Sequence, residues 1–344
     1  MSAPRPFSST KIFKTRDLIP AVWLNGSKGD DFYAFNPAIT VFRGERLMAC
    51  RIVGPDARRR LAVCRLDELW DIKAGSLVPL SDHLLEAGDW HADPRFCVFG
   101  DRLLMHFNDG FRRPNRISLV ELDPDTLIPK GPARPLLLEG PRREVEKNWT
   151  LFEHEGALLA VYAISPHIIL RVFPDAGGDT VPCARIHEDD WDSSAYSSRF
   201  GVLRGGTPPI RVGNSYFSFF HSVYPVVFPR RLLNRVIHGR GIRTCRYAMG
   251  FYGFSASPPF RAQSFAPIPV MLPPRSNLPI GKQLNRKVDR VVYPCGAVFL
   301  DGLWAVSFGV HDARCGIRLF SHETLSRLSL NLQAPARSET SGGK

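Results

Sequence analysis

Five times along this chain a short apolar run meets a polar turn of two to four residues and is followed by a second apolar run. The five stretches are "PAITVFRGERLMACRIV", "RFCVFGDRLLMHF", "WTLFEHEGALLAVYAI", "IRVGNSYFSFFHSVY" and "GAVFLDGLWAVSFGV". Each turn contains Gly or Asn, which makes each stretch a β-hairpin. They recur at intervals of about 50 to 80 residues. Helical periodicity is scarce. A hairpin repeated with extra strands between its copies describes the blades of a propeller, each blade a small antiparallel sheet. The expected fold class is therefore all-β, a five-bladed β-propeller. The alternative is a β-sandwich followed by a second β domain. A propeller closes between its first and last blades and needs no internal boundary. Residues 21–330 are thus expected to form a single domain with a central furrow, between an N-terminal extension (1–20) and a disordered tail (331–344).

Composition narrows the partners. The 344 residues are 44% hydrophobic and 23% charged, enough to build a large core and too apolar for bulk disorder. The formal net charge of +12 implies an anionic partner: nucleic acid, a phosphorylated substrate, an acidic glycan or a membrane surface. The basic residues are scattered, without an RNP, zinc-finger or helix-turn-helix signature, so nucleic acid is not expected. The seven cysteines show no CxxC spacing, and their number is odd. They read as buried free thiols of a cytoplasmic protein. The opening "MSAPRPFSSTKIFKTRDL" lacks an apolar signal region, and no apolar run approaches transmembrane length. The stretch "FPRRLLNRVIHGRGIRTCRYAMG" interrupts the fourth blade, with Leu232, Leu233, Val236 and Ile237 among arginines. It reads as a solvated loop or a short amphipathic helix. Residues 228–246 are the candidate for a lid or a peripheral membrane contact.

Polar residues that do not belong to a core recur where the hairpins begin and end. Asn36 precedes the first hairpin and Arg51 closes it; Asp93 and Arg95 precede the second, and Asn108 and Arg116 follow it. Glu146, Lys147 and Asn148 precede the third, Arg204 and Thr207 the fourth, which His221 closes. Tyr247 follows, and His311 and Asp312 end the fifth. Loops of this kind converge on a propeller's central channel, which would give one concave pocket lined by polar groups. Cations and hydrogen-bonding groups outnumber carboxylates there. No nucleophile elbow, zincin motif or Walker loop is present, and "RGGTP" lacks the Lys-Ser/Thr of a phosphate loop. Its glycines suit a close approach of backbone to ligand. His91, His221 and His311 are far apart in sequence, so no metal site is expected. Hydrolysis of a glycoside needs two carboxylates. Phosphorolysis needs one acid, because phosphate is itself the nucleophile and cations hold it in line.

The motifs "FNPA", "ADPRF", "EKNWTLF", "RGGTPPI", "FFHS", "YAMG" and "VVYPCG…GVHD" occur in this order over roughly residues 33 to 315. Together they resemble glycoside hydrolase family 130, the β-mannoside phosphorylases and β-1,2-mannosidases. The resemblance implies a five-bladed propeller without a cofactor, acting on an oligosaccharide or glycoside with inorganic phosphate as co-substrate or a sugar phosphate as donor. It implies Asp93 as proton donor, acting partly through a hydroxyl of the bound mannose. Sugar contacts fall on Asn36, Arg51 and Asp312, and phosphate contacts on Arg116, His221 and Tyr247, with Lys147 or Asn148. Arg95, Arg204 and Thr207 join the expected substrate-binding set through their places in the DPR and RGGTP motifs. For Arg95 the residues also allow a structural part, pinning the DPR turn. Arg112 and Arg113 compete with Arg116. "SFGVHD" departs from the family's usual tyrosine-glycine pair, which points to a distant branch. Hydrolysis, with Glu146 or Asp312 as base, and glycan binding without catalysis are the competing readings.

Overall fold

A computed structural model describes residues 10–84, 88, 90–110, 114–142, 144–226, 245–275, 284–285 and 288–332. It is built mainly of antiparallel strands. β1 (Thr10–Ile12) comes first in the chain. β2 (Tyr33–Phe42), β3 (Glu45–Val53) and β4 (Arg59–Leu66) form the first unit. β5 (Ala92–Phe99), β6 (Arg102–Asn108), β7 (Ile117–Leu122) and β8 (Arg134–Leu138) form the second. The third holds β9 (Thr150–His154), β10 (Ala157–Ala163), β11 (His167–Val172) and β12 (Val181–Asp189). The fourth holds β13 (Leu203–Arg204), β14 (Ile210–Val212), β15 (Ser215–Pro225), β16 (Cys245–Ser255) and β17 (Ala262–Phe265), with β18 (Val288–Arg290) joining β16 in parallel. β19 (Val292–Leu300), β20 (Leu303–Val310) and β21 (Arg314–Ser321) make the fifth, and β22 (Leu330–Asn331) returns to pair with β17.

The hairpins read from the sequence are present in the structure. Arg43 and Gly44 connect β2 to β3 with φ of 49° and 78°, the double positive φ of a tight two-residue turn that matches strand twist. The apolar seams show how the units are arranged. Leu47 of the first unit packs with Met105 of the second, Leu104 of the second with Leu151 of the third, and Phe152 of the third with Phe254 of the fourth. Phe251 of the fourth then packs with Trp304 of the fifth, and Ile317 of the fifth with Met48 of the first. The last seam returns to the start, so the core is a closed circuit of inter-sheet layers. β1 fastens the circuit by pairing with β21, Lys11 opposite Ile317.

Two features depart from a set of separate, equivalent blades. β8 and β12 pair in parallel, Leu136 opposite Val181, and fuse the second and third units into one eight-stranded sheet. In the fourth unit the segment 227–244 lies outside the described residues, so the lid or membrane reading of 228–246 falls almost wholly there. All seven cysteines are free thiols, and all but Cys245 are buried. Among the described residues no helix is long and apolar enough to cross a membrane.

Candidate active site

Three inner strands begin with the same device. Asn36-Pro37 and Asp93-Pro94 are the residues passed over where the register slips, between Phe35 and Ala38 and between Ala92 and Arg95, and Tyr293-Pro294 stands just before the slip between Pro294 and Gly296. Proline cannot donate to the ladder and so fits a break in it. A bulge re-aims the side chain beside it. Asn36 and Asp93 hold φ of 52° and 54°, a conformation in which short polar residues are tolerated best. Residues before proline normally stay extended. Both positions therefore carry backbone strain that the surrounding sheet must hold.

The re-aimed side chains meet. Asn36 Nδ2 donates to Asp93 Oδ1 at 2.7 Å, and Arg51 Nη1 donates to the same oxygen at 3.3 Å. Asn108 Nδ2 approaches Oδ2 at 3.5 Å. Burial pushes the Asp93 carboxyl up, but Arg51, the Asn36 hydrogen bond, Arg95 and Lys147 outweigh it and hold the group below the usual aspartate value. Asp93 is an ionised carboxylate in this site.

Arg95 lies behind it and is 1% exposed. Its Nε donates to the Gly206 carbonyl at 2.6 Å, Nη1 to the backbone carbonyl of Asp93 at 3.3 Å, and Nη2 to the Tyr293 hydroxyl at 3.1 Å. Tyr293 in turn donates to Asn148 Oδ1 at 2.6 Å. One guanidinium thus ties the second, fourth and fifth units together and reaches the third through Tyr293. Arg95 sets the bulge that presents Asp93, the structural part the DPR turn allowed. Gly205 and Gly206 permit this convergence. A Cβ at Gly205 would stand 2.0 Å from the Asn148 carbonyl oxygen, and one at Gly206 2.3 Å from that of Phe219. The close approach expected of "RGGTP" is therefore made to the protein's own backbone.

His221 faces this network. Its Nδ1 donates to the Gly205 carbonyl at 3.1 Å, and its ring packs 4.4 Å from Tyr293 and stacks 5.8 Å from Tyr247. Burial, then Arg204 and Arg95, hold its pKa down to about 3. His221 is neutral, with Nε2 an acceptor, and adds no positive charge to the site. Tyr247 is pushed up to about 12 by burial and is a neutral donor. Asp312 completes the group from the turn after β20, with φ of 53°. Burial pushes it up to about 6, against Arg51 and with Asp93 adding to the rise. That turn is held by His311, whose backbone N–H donates to the Val291 carbonyl and whose Nδ1 accepts from the Val291 N–H.

Other expected residues fall elsewhere. Thr207 is fully buried, donates its N–H to the Phe219 carbonyl at 2.8 Å and accepts the Phe219 N–H on Oγ1 at 3.0 Å. Its polar groups are engaged within the fourth unit. Lys147 Nζ donates to the Gly110 carbonyl at 3.2 Å at the edge of the site, and Arg204 is exposed beside His221. Arg116 is exposed, and among the described residues no contact ties its side chain to Asp93. Arg112 and Arg113 lie outside the described residues. Glu146, a candidate base, accepts from Trp149 Nε1 at 3.1 Å and from the Tyr162 hydroxyl at 3.2 Å inside the third unit. Tyr293 was not among the expected site residues. The X-Pro pair at the head of its strand, shared with Asn36 and Asp93, is the signal that marks it. Among the described residues no cluster of three His, Cys, Asp or Glu side chains is placed to hold a metal ion.

No family model matches the chain, and no curated protein matches it by sequence. Solved structures match by shape. A β-1,2-mannobiose phosphorylase from Listeria innocua, in complex with β-1,2-mannobiose, aligns at a TM-score of 0.56 and 14% identity over 93% of this chain and 99% of its own. A structure from the GH130 family of mannoside phosphorylases, described with hydrolases that target β-1,2-mannosidic linkages in Candida mannan, aligns at 0.56 and 17% identity over 85% of each chain. A mannose phosphorylase from Leishmania mexicana, in complex with phosphate ion, aligns at 0.50 and 12% identity over 89% of this chain and 90% of its own. This chain has the fold of the GH130 mannoside phosphorylases.

Proposed function

We propose that the protein is a carbohydrate-active enzyme that cleaves β-mannosides by inverting phosphorolysis, with Asp93 as the proton donor. The observation that carries this reading is the meeting, around one carboxylate, of Asn36, Arg51, Arg95, Asn148, His221, Tyr293 and Asp312 from all five units. Asn36, Arg51 and Asp312 are the sugar-facing groups. Phosphate attacks the anomeric carbon from the opposite side, drawn by Lys147 and Arg204 at the edge of the site and hydrogen-bonded by Tyr247. The neutral His221 accepts a hydrogen bond on Nε2 from a protonated phosphate oxygen or a sugar hydroxyl.

Protonation of Asp93 is the chemical difficulty, since the empty site ionises it. Phosphate resolves this. A dianion placed among the cations offsets the field that holds Asp93 down, so the acid regains its proton when the nucleophile is bound. The proton then passes, directly or through a mannose hydroxyl, to the glycosidic oxygen as the bond to the leaving sugar breaks. Binding of phosphate should therefore be linked to proton uptake by the protein, measured by calorimetry in buffers of different ionisation enthalpy and corrected for the ionisation of phosphate itself. Phosphate binding without proton uptake would overturn this account of the acid.

The reading is tested by incubating the protein with β-1,2- and β-1,4-manno-oligosaccharides and phosphate. Formation of mannose 1-phosphate is expected. Mannose released at the same rate without phosphate would assign hydrolysis instead. Asp312 is the group that favours this second reading, as a base ionised above about pH 6.

A further inference from the structure

Away from the central hollow, at the seam between the fourth and fifth units, lies a cavity of about 320 Å³. Its walls are Ile12, Met271, Phe308 and Val310, and Arg275, Arg314 and Arg318 stand around it. Gly316 lets two of these walls, Ile12 and Phe308, pack onto the backbone, because a Cβ there would stand 2.8 Å from the Ile12 side chain and 2.9 Å from Phe308. A second groove of about 500 Å³ shares Ile12 and Arg314 with the first and continues past Lys14 and Arg16, with Asp30 the one carboxylate lining it.

The arginines of this seam differ from Arg65 and Arg102 on other units. Arg65 pairs with Glu45 and Arg102 with Glu121, each at 2.7 Å. Arg275, Arg314 and Arg318 have no hydrogen bond or ion pair among the described residues; Arg318 rests over the Phe320 ring at 5.3 Å. Three guanidinium groups without a counter-charge among the described residues, beside an apolar cavity, leave charge and shape that a single ligand type satisfies together. The volume suits a small molecule and not a macromolecular surface.

We propose that this seam pocket binds a small amphipathic anion, an apolar chain or ring bearing a phosphate, with the apolar body on Ile12, Met271 and Phe308 and the phosphate on the three arginines. His311 also lines the cavity, and it holds the turn that carries Asp312 into the central site. An occupant therefore contacts the residue next to a carboxylate of the proposed active site. The pocket itself does not depend on that proposal.

The test uses octyl phosphate as probe, below its micelle concentration, with binding read by calorimetry on the full chain. Saturable binding at one site is expected, at least tenfold tighter than neutral octyl β-glucoside and tenfold tighter than inorganic phosphate at this seam. Arg314→Gln with Arg318→Gln should weaken octyl phosphate at least tenfold with little change in the thermal melt, since among the described residues neither side chain holds an ion pair or hydrogen bond and Arg318 only rests over Phe320. Arg275→Glu is an independent single variant expected to act in the same direction. Sedimentation with phosphatidic acid vesicles distinguishes the source: binding of the monomer alone assigns a free phosphorylated metabolite, and binding of both assigns a lipid headgroup. Equal affinity for octyl β-glucoside, unchanged affinity in the variants, or no saturable binding overturns the proposal.

Discussion

The bulge that presents Asp93 and the turn that presents Asp312 are two solutions to one problem. Their backbones are alike, with φ of 54° and 53°, and Arg51 acts on both carboxyls. Their proton affinities nevertheless move in opposite directions. Asp93 receives the Asn36 hydrogen bond and the fields of Arg51, Arg95 and Lys147, which outweigh burial. Asp312 is buried with Arg51 and an Asn285 hydrogen bond against it, and Asp93 repels its charge. Burial is common to both, so the count of donors and cations decides which carboxyl keeps its proton. Stability follows in opposite senses. Asp93, whose pKa is lowered on folding, contributes stability above 3.8 that is lost as pH falls through its folded value. Asp312, whose pKa is raised, favours the folded state when protonated, so its contribution declines as pH rises from 3.8 to about 6 and is level above.

The sharpest way to break this contrast is Asp93→Asn. It keeps the Asn36 and Arg51 neighbours but removes the acid, so mannose 1-phosphate formation should fall by about 10³- to 10⁴-fold with a small change in melting temperature. Turnover unchanged in that variant would remove Asp93 from the chemistry. Arg51→Met comes next. Loss of the shared cation raises both carboxyl pKa values, so activity should fall by about 100-fold, and the limb of the pH profile set by Asp312 should move to higher pH. A profile that does not move would show that Arg51 does not couple the pair. Asp312→Asn should remove the decline in stability between pH 4 and 6 and stabilise the protein at pH 7.5 by about 1–2 kcal/mol, measured by urea unfolding at both ends of the range. Tyr293→Phe has the smallest expected effect. It removes the hydroxyl that joins Arg95 to Asn148, at a cost of about 1–2 kcal/mol, and should raise KM more than it lowers kcat.

The repeated hairpins were legible because a two-residue turn with glycine, as at Arg43-Gly44, is a local signal. Asp93 was legible for a similar reason: a carboxylate before proline at the head of an apolar strand has no core function. The buried part of the site was harder to read. Arg95 looked like a ligand contact because sequence cannot show a guanidinium closed in by Gly206, Asp93 and Tyr293 from three units. The charge state of His221, an expected phosphate contact, was not legible, because its neutrality arises from burial and from Arg204 and Arg95, of which Arg95 is remote along the chain. Glu146 sits only two residues from Asn148, yet Trp149 and Tyr162 turn it inward. The parallel contact of β8 with β12 left no mark, since register between distant strands is set by the closure of the whole circuit.

The pairing of β1 with β21 has a consequence for synthesis. β1 cannot find its partner until β21, roughly 300 residues further along, has left the ribosome, and pairings of such long sequence separation form slowly. The sheet that waits for this pairing is also the one that delivers Tyr293 and Asp312. A nascent chain can fold its second and third units early, but it gathers all the groups around Asp93 only at the step that seals the ring.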